Sequence, residues 1–227
     1  MNTLFSHVCV VTMDERMSVW TDAFVGVTDG KISYLSKHAP EEKPAQIIDA
    51  TGMVLMPGLI NCHTHLPMQL LRGYADDLKL QEWLNDYIFP REDRLDGRCV
   101  RAATTLAVAE CLKFGVTSVS DMYYFCDDIC DVIAKSGMKA NISRGTSMFL
   151  GDDFDFEKFP ACQELVALKE KWHNYDGGRI KIEASTVKLP RLHPTLIAES
   201  SKAALRIKTA QKERYPSNGL FPAADRR

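Results

Sequence analysis

The chain has 227 residues, of which 45% are hydrophobic and 26% are charged, and its formal net charge is -2. These proportions are typical of a globular protein with one sizeable core and argue against a disordered chain. No run of about 18 apolar residues occurs, and the first residues, M-N-T-L-F-S-H-V-C-V, lack the basic and apolar regions of a signal peptide. We therefore predict a cytoplasmic protein that does not enter a membrane.

Seven cysteines are scattered along the chain without the spacing of a small disulfide-bonded scaffold. An odd number of this kind favours reduced, buried thiols. Cys126 and Cys130 stand four residues apart in a predicted helix and could place two thiolates on one face, but packing is the simpler interpretation.

Residues 1–56 predict a small, incomplete β-unit that resembles part of a sandwich. Apolar and polar residues alternate around Val8 and Val10, and again near Val25. The dipeptide Asp29-Gly30 separates the runs V-G-V and I-S-Y-L, which is a strong hairpin signal.

From residue 57 the pattern changes to alternating strands and helices. We predict strands over 59–62, 116–122, 139–144 and 179–184, and helices over 98–114, 127–135 and 162–173. This rhythm indicates right-handed parallel units. The predicted fold class is therefore α/β, with residues 57–185 forming the N-terminal part, about four strands, of a (β/α)8 TIM-like barrel.

Two histidines end the first of these strands. On a β-strand the spacing of His63 and His65 directs both imidazoles to one face, and in a parallel barrel the C-terminal strand ends face the reaction site. Imidazole suits zinc and iron, and a catalytic zinc site uses about three protein ligands. An isolated H-x-H can arise by chance, but here Pro57-Gly58 interrupts the chain just before the apolar run. We predict that the pair supplies two ligands of one divalent metal ion, zinc or alternatively iron.

The surrounding motif is long and specific. The run D-A-T-G-M-V-L-M-P-G-L-I-N-C-H-T-H, followed by M-Q-L-L-R-G-Y-A-D-D-L-K-L-Q-E-W-L and I-F-P-R-E, resembles the amidohydrolase superfamily. The similar branch holds S-adenosylhomocysteine and methylthioadenosine deaminases and triazine chlorohydrolases, and the resemblance covers about residues 1–185. It implies metal-dependent hydrolytic deamination of an adenine-type thionucleoside, a small-molecule substrate. The proton carriers of the family belong to a part of its pattern that this chain lacks, so no catalytic residue is predicted.

The resemblance also implies three substrate-binding residues. Glu92 falls where the deaminases bind the ribose hydroxyls, and a carboxylate offers two acceptor oxygens to a vicinal diol. Arg144 matches an arginine that reaches the substrate's tail, where its guanidinium could hold a carboxylate. Trp83 could stack on a purine. The structural alternatives are a solvated charge, a strand-end salt bridge and a core tryptophan, respectively.

The last part of the chain differs in composition. From Thr186 onward nine Lys and Arg residues face three Asp and Glu residues, a net charge of +6, whereas the remainder carries -8. We predict a divergent basic tail over residues 186–227, which we interpret as a truncation or a change of reading frame near Ser185. His193 is expected in a surface loop. No aromatic residues alternate with the tail's charges, which argues against nucleic-acid binding.

Two alternatives to the deaminase stay open at this point. One is a chlorohydrolase or deaminase acting on a triazine or another small ring through the same chemistry. The other is a non-catalytic half-barrel, whose two unpaired sheet edges would favour association, including a homo-oligomer.

Overall fold

The structure is a computed structural model, and it describes residues 1–146, 155 and 158–186. The chain divides into two compact units, Met1–Leu59 and Ile60–Arg227. Of the tail predicted over residues 186–227, Thr186 ends a strand, and residues 187–227, including His193, lie outside the described residues. Within the described ranges, no helix combines the length and the apolar character needed to cross a bilayer.

The first unit is a five-stranded sheet. Its strands are β1 (Thr3–Val11), β2 (Val19–Thr28), β3 (Lys31–Ser36), β4 (Gln46–Asp49) and β5 (Val54–Leu55). The order is β3-β2-β1-β4, with β5 also pairing with β1. β2 is antiparallel to β1 and β3, whereas β4 and β5 run parallel to β1.

The predicted hairpin is confirmed at the turn between β2 and β3. Thr28 pairs with Lys31, and both Asp29 and Gly30 have positive φ angles. Two-residue loops of this conformation match the twist of the flanking strands, which explains the sequence preference. The small core of this unit consists of Val8, Val10, Ala23, Val25 and Ala50.

The second unit alternates strands and helices. Its elements are β6 (Leu59–Thr64), a 3-10 helix (Leu66–Leu71), α1 (Leu80–Glu82), a π-helical segment (Trp83–Ile88), α2 (Phe89–Glu92), α3 (Gly97–Lys113), β7 (Val116–Tyr123), α4 (Cys126–Ser136), β8 (Lys139–Thr146), α5 (Pro160–Trp172), α6 (Tyr175–Gly178) and β9 (Ile180–Thr186). The predicted strands and helices are confirmed, with every end within two residues of its expected position.

The strands of the second unit form a sheet in sequence order, β6-β7-β8-β9. β7 pairs with β8 in parallel, and β8 pairs with β9 in parallel. Along β7, Val119, Asp121 and Tyr123 are buried, while the intervening Ser120 and Met122 are partly exposed. Val119 and Tyr123 belong to one hydrophobic cluster with buried residues of α3, α4 and α5, so these helices pack on the buried face of the sheet.

Local sequence signals set the ends of the helices. The Asp96 side chain accepts a hydrogen bond from the Cys99 amide at 2.7 Å and caps the start of α3. Gly115 follows α3 with φ 78°, and Gly137 ends α4 with φ 74°. A left-handed residue ends a helix with little strain only when it lacks a side chain, so these two glycines fix where the strands β7 and β8 can begin.

The buried positions of α3, α4 and α5 recur at helical spacing and face the sheet. In α4 they are Cys126, Ile129, Cys130 and Ile133. Both cysteines belong to the hydrophobic core, as the packing interpretation predicts. Burial raises the pKa of the Cys126 thiol to about 12, which keeps it protonated.

One buried polar atom in α3 predicts a stabilising substitution. The hydroxyl of Thr104 is fully buried and has no hydrogen-bond partner among the described residues. Valine has nearly the same shape and removes the unpaired hydroxyl, so Thr104→Val should raise the free energy of unfolding by about 1 kcal/mol. Urea unfolding followed by circular dichroism measures the change.

The neighbouring Thr105→Val is the matched control. Its exposed hydroxyl donates to the Arg101 carbonyl at 2.7 Å, so the same substitution removes a satisfied group and should give no gain. Equal gains at both positions would indicate a general effect of valine in this helix and would contradict the explanation.

Candidate active site

The site begins at the C-terminal end of β6. His63 lies in this strand and is exposed, and His65 follows directly after the strand's last residue, Thr64. The ring centroids of the two imidazoles are 5.1 Å apart, at an interplanar angle of 77°. This distance agrees with the prediction that both rings lie on the same side of the strand.

A backbone carbonyl of β7 orients His65. The Nδ1 atom of His65 lies 2.6 Å from the carbonyl oxygen of Met122. Because a carbonyl only accepts hydrogen bonds, Nδ1 carries the proton and donates, and Nε2 of the neutral ring keeps its lone pair. This is the arrangement in which protein histidines bind metals, with the second ring nitrogen held by a hydrogen bond.

The next residue of the chain is held by a buried carboxylate. The Leu66 amide donates to Oδ1 of Asp121 at 2.6 Å. Oδ2 of Asp121 has no hydrogen-bond partner within the described part of the chain. Burial raises the pKa of Asp121 to about 7, against the smaller opposing effect of the Leu66 hydrogen bond.

Asp121 was missed by reasoning from the sequence, although a signal existed. In the predicted strand over residues 116–122, V-T-S-V-S-D-M, alternation puts Asp121 on the same side as Val119 and the following Tyr123. A charged residue on the buried side of a strand needs a specific partner. Here the partner is a backbone amide that is distant in sequence.

A helical segment brings two further predicted residues to the same place. α1, the π-helical segment and α2 follow one another from Leu80 to Glu92, with Trp83 at the start of the π-helical part and Glu92 at the end of α2. π-helical segments occur frequently at functional sites. The sequence showed this region only as a long excursion between strands.

His65, Trp83 and Glu92 line one cavity of about 170 Å³. Its other walls are largely apolar and include Met68, Leu84, Ile88 and Phe89. A concave apolar cavity with a few convergent polar groups is the usual form of a small-molecule site. The structure thus brings together three of the residues singled out by sequence, with His63 beside His65.

Glu92 is tied to strand β7 through Tyr123. The Tyr123 hydroxyl donates to Oε1 of Glu92 at 2.7 Å. Burial raises the pKa of Glu92, and the Tyr123 hydrogen bond and the nearby His65 act in the opposite direction. The pKa of Tyr123 is raised well above its usual range, first by burial and then by Glu92. Tyr123 is therefore the hydrogen-bond donor.

Arg144 lies on β8 and lines a different cavity from His65 and Trp83. It lines a second, larger cavity of about 850 Å³, which shares Phe89, Glu92 and Tyr124 with the first. Its guanidinium forms an ion pair with Glu164 and lies 4.8 Å from the centre of the Tyr124 ring. Arg144 therefore faces a cavity and also makes the strand-end salt bridge that was its alternative interpretation.

The residues present fit part of a metal site. The described residues contain no group of three or more His, Cys, Asp or Glu side chains arranged to hold a metal ion. The two neighbouring imidazoles, one with its ring fixed by Met122, match two ligands of the about three that a catalytic zinc site takes from protein.

Sequence comparison decides the family. Residues 54–210 match the Amidohydrolase family. The chain belongs to the amidohydrolase family. This membership confirms the resemblance drawn from the motif around His63 and His65.

Named relatives within the family are deaminases. A 5'-deoxyadenosine deaminase from Methanosarcina mazei is 40% identical over 178 residues, which cover 78% of this chain and 40% of that protein. A 5-methylthioadenosine/S-adenosylhomocysteine deaminase from Acetivibrio thermocellus is 34% identical over 185 residues, covering 80% of this chain and 42% of that protein. The amidohydrolase chain therefore spans less than half the length of these curated relatives.

Solved structures agree with the family fold. An adenosine deaminase from Xanthomonas campestris with bound zinc has a TM-score of 0.79 at 26% identity, covering 94% of this chain and 52% of that one. An atrazine chlorohydrolase from Arthrobacter aurescens complexed with zinc has a TM-score of 0.79 at 20% identity, covering 94% and 55%. At that identity the second similarity establishes the fold alone.

The buried Asp121 predicts a dependence of stability on pH. An unfolded aspartate loses its proton near its ordinary pKa of 3.8, whereas the folded one loses it near 7. Between these values the folded state holds the extra proton, so stability falls as pH rises through the window. Asp121→Asn keeps an acceptor oxygen for the Leu66 amide and removes the charge. The variant should therefore gain a few kcal/mol relative to the unsubstituted chain between about pH 4 and about pH 8, measured by urea unfolding.

Asp96→Asn is the matched control for this prediction. Asp96 also accepts a hydrogen bond from a backbone amide, but it is exposed, and that hydrogen bond lowers its pKa. The stabilisation by this hydrogen bond is lost only as pH falls below the ordinary range of an aspartate. Above about pH 5 the free energies of unfolding of Asp96→Asn and of the unsubstituted chain should therefore differ by a constant amount. A similar pH trend in both variants would contradict the assignment to Asp121.

Proposed function

We propose that this chain forms part of a metal-dependent hydrolase that removes the amino group of an adenine-type nucleoside, such as methylthioadenosine or S-adenosylhomocysteine. The observation that supports this most strongly is the convergence of His65, Trp83 and Glu92 on one cavity. These residues combine a metal-binding imidazole, an aromatic face and a carboxylate. Deaminase relatives at 33% to 40% identity support the same reaction.

We further propose that the β6-β7-β8-β9 sheet is the first half of a (β/α)8 barrel over residues 57–185, accompanied by the small β-unit of residues 1–56. Sequential strand order, parallel pairing and covering helices support this arrangement. In such barrels the reaction site lies at the C-terminal ends of the strands. His65 follows β6, and Tyr123 is the last residue of β7.

In this proposal His63 and His65 hold a divalent cation, zinc or alternatively iron. When bound, such a cation lowers the pKa of water from about 15.7 to about 7, which supplies a nucleophile at neutral pH. The hydrogen bond to the Met122 carbonyl keeps Nε2 of His65 available as a ligand. The remaining ligands and the proton carriers would come from outside the described residues.

The cavity residues hold the nucleoside. Trp83 offers an aromatic face to the purine, and the apolar walls around it exclude water. Glu92 accepts hydrogen bonds from the ribose hydroxyls. Arg144 faces the adjoining cavity and binds the tail attached to the ribose. A triazine ring has no vicinal diol, so the partly buried Glu92 favours a nucleoside over the triazine alternative.

Association through the outer strands of the sheet is a further part of the proposal. Among the described residues, β6 and β9 each have one neighbouring strand in the sheet, and Leu59 and Ile60 of β6 are 52% and 67% exposed. Unpaired strand edges favour pairing with further strands. These could belong to a longer polypeptide or to a second copy of the chain. We also propose a cytoplasmic location without nucleic-acid partners, consistent with seven free cysteines.

Zinc content tests the metal proposal. After dialysis against a moderate chelator, elemental analysis should find about one zinc per chain, and His63→Ala or His65→Ala should abolish it because two imidazoles are the only ligands assigned. The control is His38→Ala, whose exposed imidazole lies in the first unit. Loss of zinc in the control as well, or retention in both site variants, would refute these ligands.

Discrimination between ribose and its deoxygenated form tests the nucleoside proposal. The unsubstituted chain loaded with zinc should bind 5'-methylthioadenosine more tightly than its 2',3'-dideoxy analogue, measured by equilibrium dialysis. Glu92→Gln replaces one acceptor oxygen by an amide donor and should reduce this preference about tenfold. Equal binding of both nucleosides by the unsubstituted chain would count against the role of Glu92. Release of ammonia from 5'-methylthioadenosine tests the reaction itself.

A further inference from the structure

One hydrogen bond links the proposed substrate carboxylate to the sheet. The Tyr123 hydroxyl lies 2.7 Å from Oε1 of Glu92, and Tyr123 is only 4% exposed. Its ring packs against Tyr124 at 5.2 Å and lies 6.2 Å from the His65 ring, measured between centroids. A ring that is almost completely buried has few alternative rotamers, so its hydroxyl is a fixed donor.

Glu92 stands at the end of a helical run. It is the last residue of α2, which continues α1 and the π-helical segment from Leu80. A glutamate at the end of a helix has several accessible rotamers unless another group holds its carboxylate. The Tyr123 hydroxyl selects the rotamers in which Oε1 points to the end of β7.

The same hydrogen bond favours the ionised form of the carboxyl group. Partial burial disfavours the charge on Glu92, whereas a hydroxyl donating to Oε1 stabilises it. The charge matters because an ionised carboxylate only accepts, and a vicinal diol offers two donors. Oε2 of Glu92 has no hydrogen bond to any residue that the structure describes.

We propose that Tyr123 is a positioning residue for substrate selectivity: it holds Oε1 of Glu92 so that Oε2 is presented to the vicinal diol of a ribose. Tyr123 also lines the cavity, and its proposed effect on ribose selectivity is exerted through Glu92. This inference rests on the proposed function of Glu92 and adds the residue that sets its orientation. A tyrosine that served only packing would affect stability without affecting ribose selectivity.

Ribose selectivity of Tyr123→Phe tests the proposal in the full chain loaded with zinc. The substitution removes one oxygen and leaves the packed ring, so the preference for 5'-methylthioadenosine over its 2',3'-dideoxy analogue should fall about tenfold. Affinity for the dideoxy analogue should stay within about twofold. An unchanged preference in a folded variant would overturn the proposal.

Tyr74→Phe is the matched control. The Tyr74 hydroxyl accepts a hydrogen bond from Arg91, the residue before Glu92, and Tyr74 is absent from the linings of both cavities. Its loss should leave the ribose preference unchanged. A comparable fall in this control would show that any loosening of α2 suffices and would overturn the specific role of Tyr123.

A second variant tests the proposal even if Tyr123→Phe fails to fold. Glu92→Asp leaves Tyr123 in place and withdraws the carboxylate by one methylene, so it should also lose the ribose preference. Retention of the preference would show that the distance between hydroxyl and carboxylate is unimportant and would overturn the proposal.

Titration of the Glu92 carboxyl by carbon NMR, without nucleoside, separates this inference from the proposed function. Tyr123→Phe should raise the pKa of Glu92, because the hydrogen bond that stabilises its charge is lost. A raised pKa with no ribose preference in the unsubstituted chain would refute the proposed function and leave Tyr123 a structural residue. An unchanged pKa would refute the hydrogen bond itself and thereby the positioning role.

Discussion

The site depends on hydrogen bonds made by three consecutive residues at the end of β7. Asp121 accepts from the Leu66 amide, the Met122 carbonyl accepts from His65, and the Tyr123 hydroxyl donates to Glu92. Asp121 and Tyr123 lie two residues apart and point to the same side of β7, and the Met122 contact is made by its backbone carbonyl, so one short segment can hold three partners. The end of β6 and the end of α2 are both fixed against this segment.

This arrangement has an energetic cost. Asp121 is buried with one oxygen unpaired among the described residues, and its raised pKa shows that the folded state disfavours its charge. A leucine or valine at the same place would pack without that penalty, but it could not hold the Leu66 amide. Stability is thus exchanged for a fixed direction of the chain immediately after His65. Such local conflicts are characteristic of functional sites.

The described residues bring together several functional groups in a chain shorter than its relatives. The chain spans about two fifths of the length of its deaminase relatives, yet its described residues already combine an oriented imidazole, an aromatic face and a carboxylate around one cavity. Parallel barrels gather their functional groups from the ends of several strands. In the proposed half-barrel, neighbouring strand ends therefore assemble one side of the candidate site.

The sequence by itself determined the features that depend on neighbouring residues. Asp29-Gly30 specified a hairpin, Gly115 and Gly137 specified helix ends, and the motif around His63 and His65 specified the family. Only the tertiary structure decided that Asp121 and Tyr123 hold the site, because their partners lie 55 and 31 residues away in the chain. It also decided that Arg144 faces the adjoining, larger cavity and pairs with Glu164. Short-range signals record backbone conformation, whereas contacts between distant residues arise only when strands and helices pack.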